Sequence, residues 1–100
     1  MALKVVLSET AKSKLSDLLE YLENKWSVRV KKEFVKKLDK TLFRLSNFPQ
    51  SSPESNEVKG LFKCVLTNQT NIFYRVTKDE IEIVTFFDSR QDPKKIPTIK

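Results

Sequence analysis

The sequence predicts an α+β fold: an N-terminal strand, a two-helix antiparallel hairpin, and a twisted, mainly antiparallel sheet that the hairpin covers. Three observations lead there. Apolar residues between positions 11 and 45 recur every three or four residues, whereas after position 57 they follow the period of a strand. Two short polar connections, 67–70 and 77–80, divide that second half as hairpin turns do. The length of 100 residues suits a single domain over 1–100, because chains divide into domains only beyond ~250 residues.

Residues 3–7, Leu-Lys-Val-Val-Leu, form a short strand rich in branched apolar side chains. Ser8 follows as an N-cap, with Glu9 placed to meet the positive end of the helix dipole. Ala11, Leu15, Leu18, Leu19 and Leu22 line one face of the first helix. A break falls at 24–27, where Trp26 is expected to anchor the helix junction in the core. The second helix runs from Val28 to Asn47, with Phe34, Val35, Leu38, Leu42 and Leu45 in one apolar sector. Residues 48–56, with Pro49, Pro53 and several small polar residues, cannot continue it. Strands are expected within 58–66, bent near Gly60, and over 71–76 and 81–87, the last apolar on both faces as a central strand should be. Leu15, Leu18, Leu22, Trp26, Phe34, Leu38, Leu42, Val65, Phe73, Ile81 and Ile83 are expected to share one core, and Cys64 to be a small core residue.

Composition closes off several chemistries. No histidine is present, which excludes Ser-His-Asp triads and His-ligated metals. A single cysteine, Cys64, allows neither an internal disulfide nor a thiolate cage, and a single glycine, Gly60, makes no phosphate cradle. No cofactor and no metal are expected. No apolar run approaches the ~18 residues of a membrane span, and the N-terminal apolar stretch, broken by Lys4, is too short for a signal peptide. A cytoplasmic location without membrane contact is therefore expected.

The chain carries a net charge of +6, and residues 25–44 hold the whole excess. That segment sets Lys25, Arg29, Lys31, Lys32, Lys36, Lys37, Lys40 and Arg44 against only Glu33 and Asp39. On a helix, Lys25, Arg29, Lys32, Lys36, Lys40 and Arg44 fall opposite the apolar sector. This face is either ordinary solvated surface or a binding patch for an acidic partner, with Arg29, Lys32, Lys36 and Lys40 as its contacts. No aromatic residue is expected to interleave with the lysines, which speaks against a platform for stacking single-stranded bases.

Read in order, the motifs resemble the RelE/ParE superfamily, the toxins of type II toxin–antitoxin pairs, on its ParE-like plasmid-stabilisation branch. The similarity spans essentially the whole chain. It rests on the early strand with Ser8-x-x-Ala11, on Leu18-x-x-x-Leu22 and Trp26, and on Leu45-x-x-x-Pro49. Later come Gly60-Leu61-Phe62-Lys63-Cys64-Val65-Leu66, Asn71-Ile72-Phe73-Tyr74-Arg75-Val76, and Phe87-Asp88-Ser89-Arg90-Gln91-Asp92-Pro93. The resemblance implies a small basic growth inhibitor neutralised by a cognate antitoxin, as a homodimer or a toxin–antitoxin hetero-oligomer. RelE-like members cut messenger RNA on the ribosome; ParE-like members poison DNA gyrase without that chemistry.

Metal-free RNA cleavage needs a base for the 2′-hydroxyl, an acid for the leaving oxygen, and cations around the phosphate. RelE-like enzymes resemble a Lys/Arg cluster completed by a C-terminal Tyr. The candidates here are Lys59, Lys63, Arg75 and Arg90, with Glu57 and Asp88 as available carboxylates. No Tyr or His follows Tyr74, and Lys94 and Lys95 cannot replace a stacking ring. The expected activity is therefore ParE-like inhibition of gyrase, with a metal-independent endoribonuclease or a decayed, inactive toxin as alternatives. Tyr74 is expected to serve the sheet rather than catalysis. Arg75 either pairs with Glu82 across a hairpin or binds phosphate, and Arg90 either contacts substrate or pairs locally with Asp92.

Overall fold

In the computed structural model, which describes residues 2–56 and 59–88, the elements follow the order β1 (Lys4–Leu7), α1 (Glu9–Lys25), α2 (Val28–Asn47), β2 (Phe62–Val65), β3 (Thr70–Val76) and β4 (Glu80–Asp88). The expected helix boundaries are reproduced because both helices begin at hydroxyl caps. Ser8 Oγ accepts the Ala11 N–H at 3.0 Å and donates to the Val84 carbonyl at 2.7 Å. One side chain thus caps α1 and ties it to β4. Ser27 Oγ accepts the Val30 N–H at 3.1 Å at the head of α2.

The four strands form one sheet in the order β1-β4-β3-β2. The two hairpins are antiparallel, with Lys63 opposite Phe73 in β2–β3 and Arg75 opposite Glu82 in β3–β4. β1 pairs with β4 in parallel, Lys4 opposite Glu80 through Leu7 opposite Ile83. The sheet is mixed, and the helical hairpin and the two β-hairpins separate its parallel pair along the chain. β3 and β4 slip register between Phe73 and Tyr74, where Val84 has no direct partner. Such a bulge adds twist and changes which face the following residues occupy.

α1 packs on β4 and α2. The main core between helices and sheet contains Ala11, Leu18, Leu22, Phe34, Leu38, Leu45, Cys64, Leu66, Ile72, Tyr74, Ile81, Ile83 and Phe86, with Leu15 and Leu42 packed against it. Three expectations about the core fail. Phe73 is buried, but in a second small cluster with Leu61 and Val84, lined by Phe87. Strand alternation puts Phe73 on the sheet face opposite Ile72 and Tyr74. Val65 is 64% exposed, since the inward phase of β2 belongs to Phe62 and Cys64, and Val65 shares the outward phase of Lys63. Trp26 is 58% exposed. It is the C-cap of α1, where the Trp26 and Ser27 N–H groups both close on the Leu22 carbonyl at 3.0 Å. Backbone bonds thus close the junction and leave the indole outside.

Gly60, at φ 87°, forms the turn ahead of β2, a conformation that favours glycine. Across from it, the segment 53–55 runs along the outer edge of β2. The Lys63 N–H donates to the Pro53 carbonyl at 3.0 Å, the Ser55 N–H donates to the Leu61 carbonyl at 2.6 Å, and Glu54 bridges Phe62.

Candidate functional site

The sheet face away from the main core is where a phosphate-binding cluster would have to assemble. β2 presents Lys63 and Val65 there, and β3 presents Asn71, Phe73 and Arg75. Lys63 lies directly across from Phe73, so Arg75 is its diagonal neighbour, within reach of a long side chain. The structure therefore brings two of the four candidate cations to one face. The Arg75 guanidinium lies 3.2 Å from the Glu82 carboxylate, its register partner, so the cross-hairpin pairing holds. The other cross-strand pairs on this face are Val65 with Asn71, Phe73 with Thr85, and Asn71 with Phe87. None of these side chains exchanges a proton near neutral pH.

Lys59 is exposed in the turn before β2. Arg90 and Glu57 lie outside the described residues, as do Asp92, Lys94 and Lys95. Asp88 is buried and accepts the Thr70 hydroxyl at 2.5 Å. The Thr70–Asp88 pair is in phase with Ile72–Phe86, so it belongs to the side of the main core. Tyr74 serves the sheet, as expected: it is fully buried, stacks on Phe62 with ring centres 5.4 Å apart, and donates its hydroxyl to the Pro49 carbonyl at 2.9 Å. Burial away from water pushes the Tyr74 phenol above its ordinary value of 10.0, while hydrogen bonding at Ser52 works against that rise. Among the described residues, no group of His, Cys, Asp and Glu side chains could hold a metal ion.

The basic face of α2 is realised. Arg29, Lys32, Lys36 and Lys40 are all exposed and spaced three or four residues apart along one stripe. Arg29 makes only a loose contact with Glu33 at 3.9 Å, and Lys31 turns aside to bridge Glu23 of α1 at 2.6 Å. The expectation that no aromatic joins these cations is corrected: Phe43 is 73% exposed, seven residues on from Lys36 and therefore in line with it. That spacing was legible in the sequence. The face is basic with an apolar end, a composition suited to a partner that offers both carboxylates and apolar side chains. Arg44, counted with this face, instead reaches back to the sheet, where its Nη2 donates to Cys64 Sγ at 3.2 Å.

Among described residues, no helix is long and apolar enough to cross a membrane. No curated protein sequence matches the chain. Solved structures do. The chromosomal ParDE toxin–antitoxin system of P. aeruginosa aligns with a TM-score of 0.73 at 16% identity, covering 87% of this chain and 96% of that one. A RelBE2 toxin–antitoxin complex from Mycobacterium tuberculosis aligns at 0.59 with 18% identity, covering 88% and 99%. The YoeB dimer of Staphylococcus aureus aligns at 0.58 with 17% identity, covering 87% and 97%. These likenesses are of fold. The family model for the ParE toxin of the type II toxin–antitoxin system parDE matches residues 5–93, nearly the whole chain. That match covers well over half of the chain, and the chain therefore belongs to the ParE toxin family of type II toxin–antitoxin systems.

Proposed function

We propose that this protein is a noncatalytic, ParE-like toxin of the cytoplasm that inhibits DNA gyrase and is held inactive by a cognate antitoxin. The observation that carries the reading is the setting of Arg75 and Lys63 on the sheet face away from the main core. Cleaving RNA without a metal calls for groups that give and take a proton beside uncommitted cations. Here Arg75 is engaged by Glu82, the neighbours of Lys63 on this face are Val65, Asn71 and Phe73, and Phe73 is itself buried. Among the described residues, that composition favours binding over proton transfer. The match to the ParE family model supports the same choice, and two of the aligned structures, a ParDE toxin–antitoxin system and a RelBE2 toxin–antitoxin complex, support an antitoxin partner for this chain. The stripe Arg29, Lys32, Lys36 and Lys40 is its proposed contact, through acidic residues of the antitoxin.

The test is induction of the chain in a bacterium with transcript ends and DNA breaks mapped together. DNA damage without new cuts in translated messages is the expected result. Fresh in-frame cuts that vanish in the Arg90→Ala variant would establish the ribonuclease reading instead, and an absence of any growth effect would mark a decayed toxin.

A further inference from the structure

The two helices divide the charge of the chain unequally. α1 holds three lysines against four carboxylates, whereas α2 holds seven cations against only Glu33 and Asp39. Five of the six net positive charges therefore stand on one helix. At about 100° per residue, Arg29, Lys32, Lys36 and Lys40 fall within a sector of roughly 80°, with Glu33 and Asp39 just outside it on opposite sides. All four cations are exposed. Among the described residues, Lys32, Lys36 and Lys40 pair with no carboxylate, and Arg29 has only its 3.9 Å contact with Glu33. Lys31, by contrast, is drawn off to Glu23. A row of cations without internal partners is matched best by an anion that repeats along a line.

The shape of the row selects among such anions. From Arg29 to Lys40 it extends about 17 Å at 1.5 Å per residue. Over that length of axis a DNA duplex presents about ten phosphate charges, one per roughly 1.7 Å. The major groove of B-form DNA, about 12 Å wide, admits an α-helix between its two backbones, whereas the A-form groove of paired RNA is deep and narrow. Unpaired strands are held by bases stacked on successive aromatic rings. Phe43 is the one exposed ring of α2, and a single ring beyond the end of the row makes no such platform. Lysines also predominate over the Arg, Asn and Gln side chains that read base edges in pairs of hydrogen bonds.

We propose that the α2 stripe binds the phosphate backbone of double-stranded DNA without reading its sequence. Arg29, Lys32, Lys36 and Lys40 supply the contacts, each neutralising one phosphate. This property belongs to the isolated chain and stands apart from the toxin reading. The stripe is the one assigned above to the carboxylates of an antitoxin, so the two anionic partners exclude one another.

The experiment titrates the full chain against a fluorescent DNA duplex of about 20 base pairs, a second duplex of unrelated sequence, one separated strand, and the corresponding RNA duplex, with anisotropy read over a series of salt concentrations. The DNA duplexes should bind with Kd of about 1–100 μM at physiological salt, agreeing within about twofold, and log K should fall against log salt with a slope of about −3.6 for four contacts. Lys36→Gln combined with Lys40→Gln should weaken binding roughly ten- to hundredfold and flatten the slope by about 2. Lys14→Gln combined with Lys78→Gln removes the same charge from exposed positions of α1 and of the turn before β4, and should weaken it by less than about threefold. Both double variants should melt as the parent does, since all four positions are exposed. Equal losses in the two double variants would reveal an effect of net charge alone and overturn the stripe. Tighter binding of the single strand or of the RNA duplex, or a DNA Kd weaker than about 1 mM at physiological salt, would overturn the proposal as well. Each of these results leaves the toxin reading to its own test by induction.

Discussion

Replacing Tyr74 by Phe removes one oxygen from the interior and nothing else. The ring stays stacked on Phe62, 5.4 Å away, so the apolar burial is conserved. What goes is the hydroxyl's bond to the Pro49 carbonyl at 2.9 Å, which spans 25 residues and pins the start of the 48–56 loop to β3, together with its hydrogen bonding at Ser52. A net hydrogen bond plus a partly stranded carbonyl costs about 1–1.5 kcal/mol. For a domain of this size that lowers Tm by roughly 4–12 °C, and it shifts the urea midpoint by about 0.5–1 M with the slope unchanged. The pH dependence gives the sharper signature. The folded-state phenol sits above its ordinary value of 10.0 because it has lost water. Above about pH 10 the unfolded chain therefore releases a proton that the folded chain retains, and the parent loses stability as pH rises from the ordinary value through the folded one. The Phe variant has no such proton. The stability gap between the two should be constant below about pH 9 and should narrow above about pH 10, as measured by urea unfolding at fixed ionic strength. A gap that stays flat across both ranges, or one below about 0.3 kcal/mol throughout, would refute the account of Tyr74 as a buried tether.

Other outcomes follow from the same geometry. Leu45→Ala, at a fully buried position of α2, should cost about 2–5 kcal/mol in chemical denaturation. Ser8→Ala removes both the α1 cap and the bond to Val84 and should cost about 1–2 kcal/mol by the same assay. Disrupting the half-exposed Arg75–Glu82 pair by Arg75→Met should change stability by less than about 1 kcal/mol, and on the noncatalytic reading growth inhibition should persist. Phe43→Ser should leave the melting curve unchanged, because the ring is 73% exposed, while weakening antitoxin binding in titration calorimetry.

The helices were readable because amphipathic periodicity and a serine cap are local signals: Ser8 and Ser27 stand immediately before the first helical residues, and the Val28–Asn47 boundaries follow. The sheet was harder. That Phe73 belongs to a separate cluster depends on which face of β3 the helices cover, and both Phe73 and Tyr74 are apolar enough for either. Val65 was recoverable, since Lys63 two residues earlier marks the outward phase. Trp26 was not, because a residue that caps a helix leaves the helical phase and no periodicity tells where it points. For the site, the structure places Lys63 and Arg75 on one face, and the pairing of Arg75 with Glu82 was foreseen as one of two options. The contact of Arg44 with Cys64 joins positions 20 residues apart, and no local pattern could show it.

The parallel pairing of β1 with β4 has a consequence for how the protein comes into being. β1 has no neighbour in the sheet until β4, 76 residues later by register, has left the ribosome. The two helices are complete by Asn47, yet the strand on which α1 rests begins only at Glu80. At roughly 5–20 residues per second, synthesis of the intervening stretch takes about 2–7 s. Through that interval the leucine faces of both helices lack the sheet. Pairing strands so far apart along the chain also slows folding once synthesis is complete. The β1–β4 pairing therefore cannot form on the early nascent chain, and a partner already present has seconds in which to meet the polypeptide before its sheet is complete.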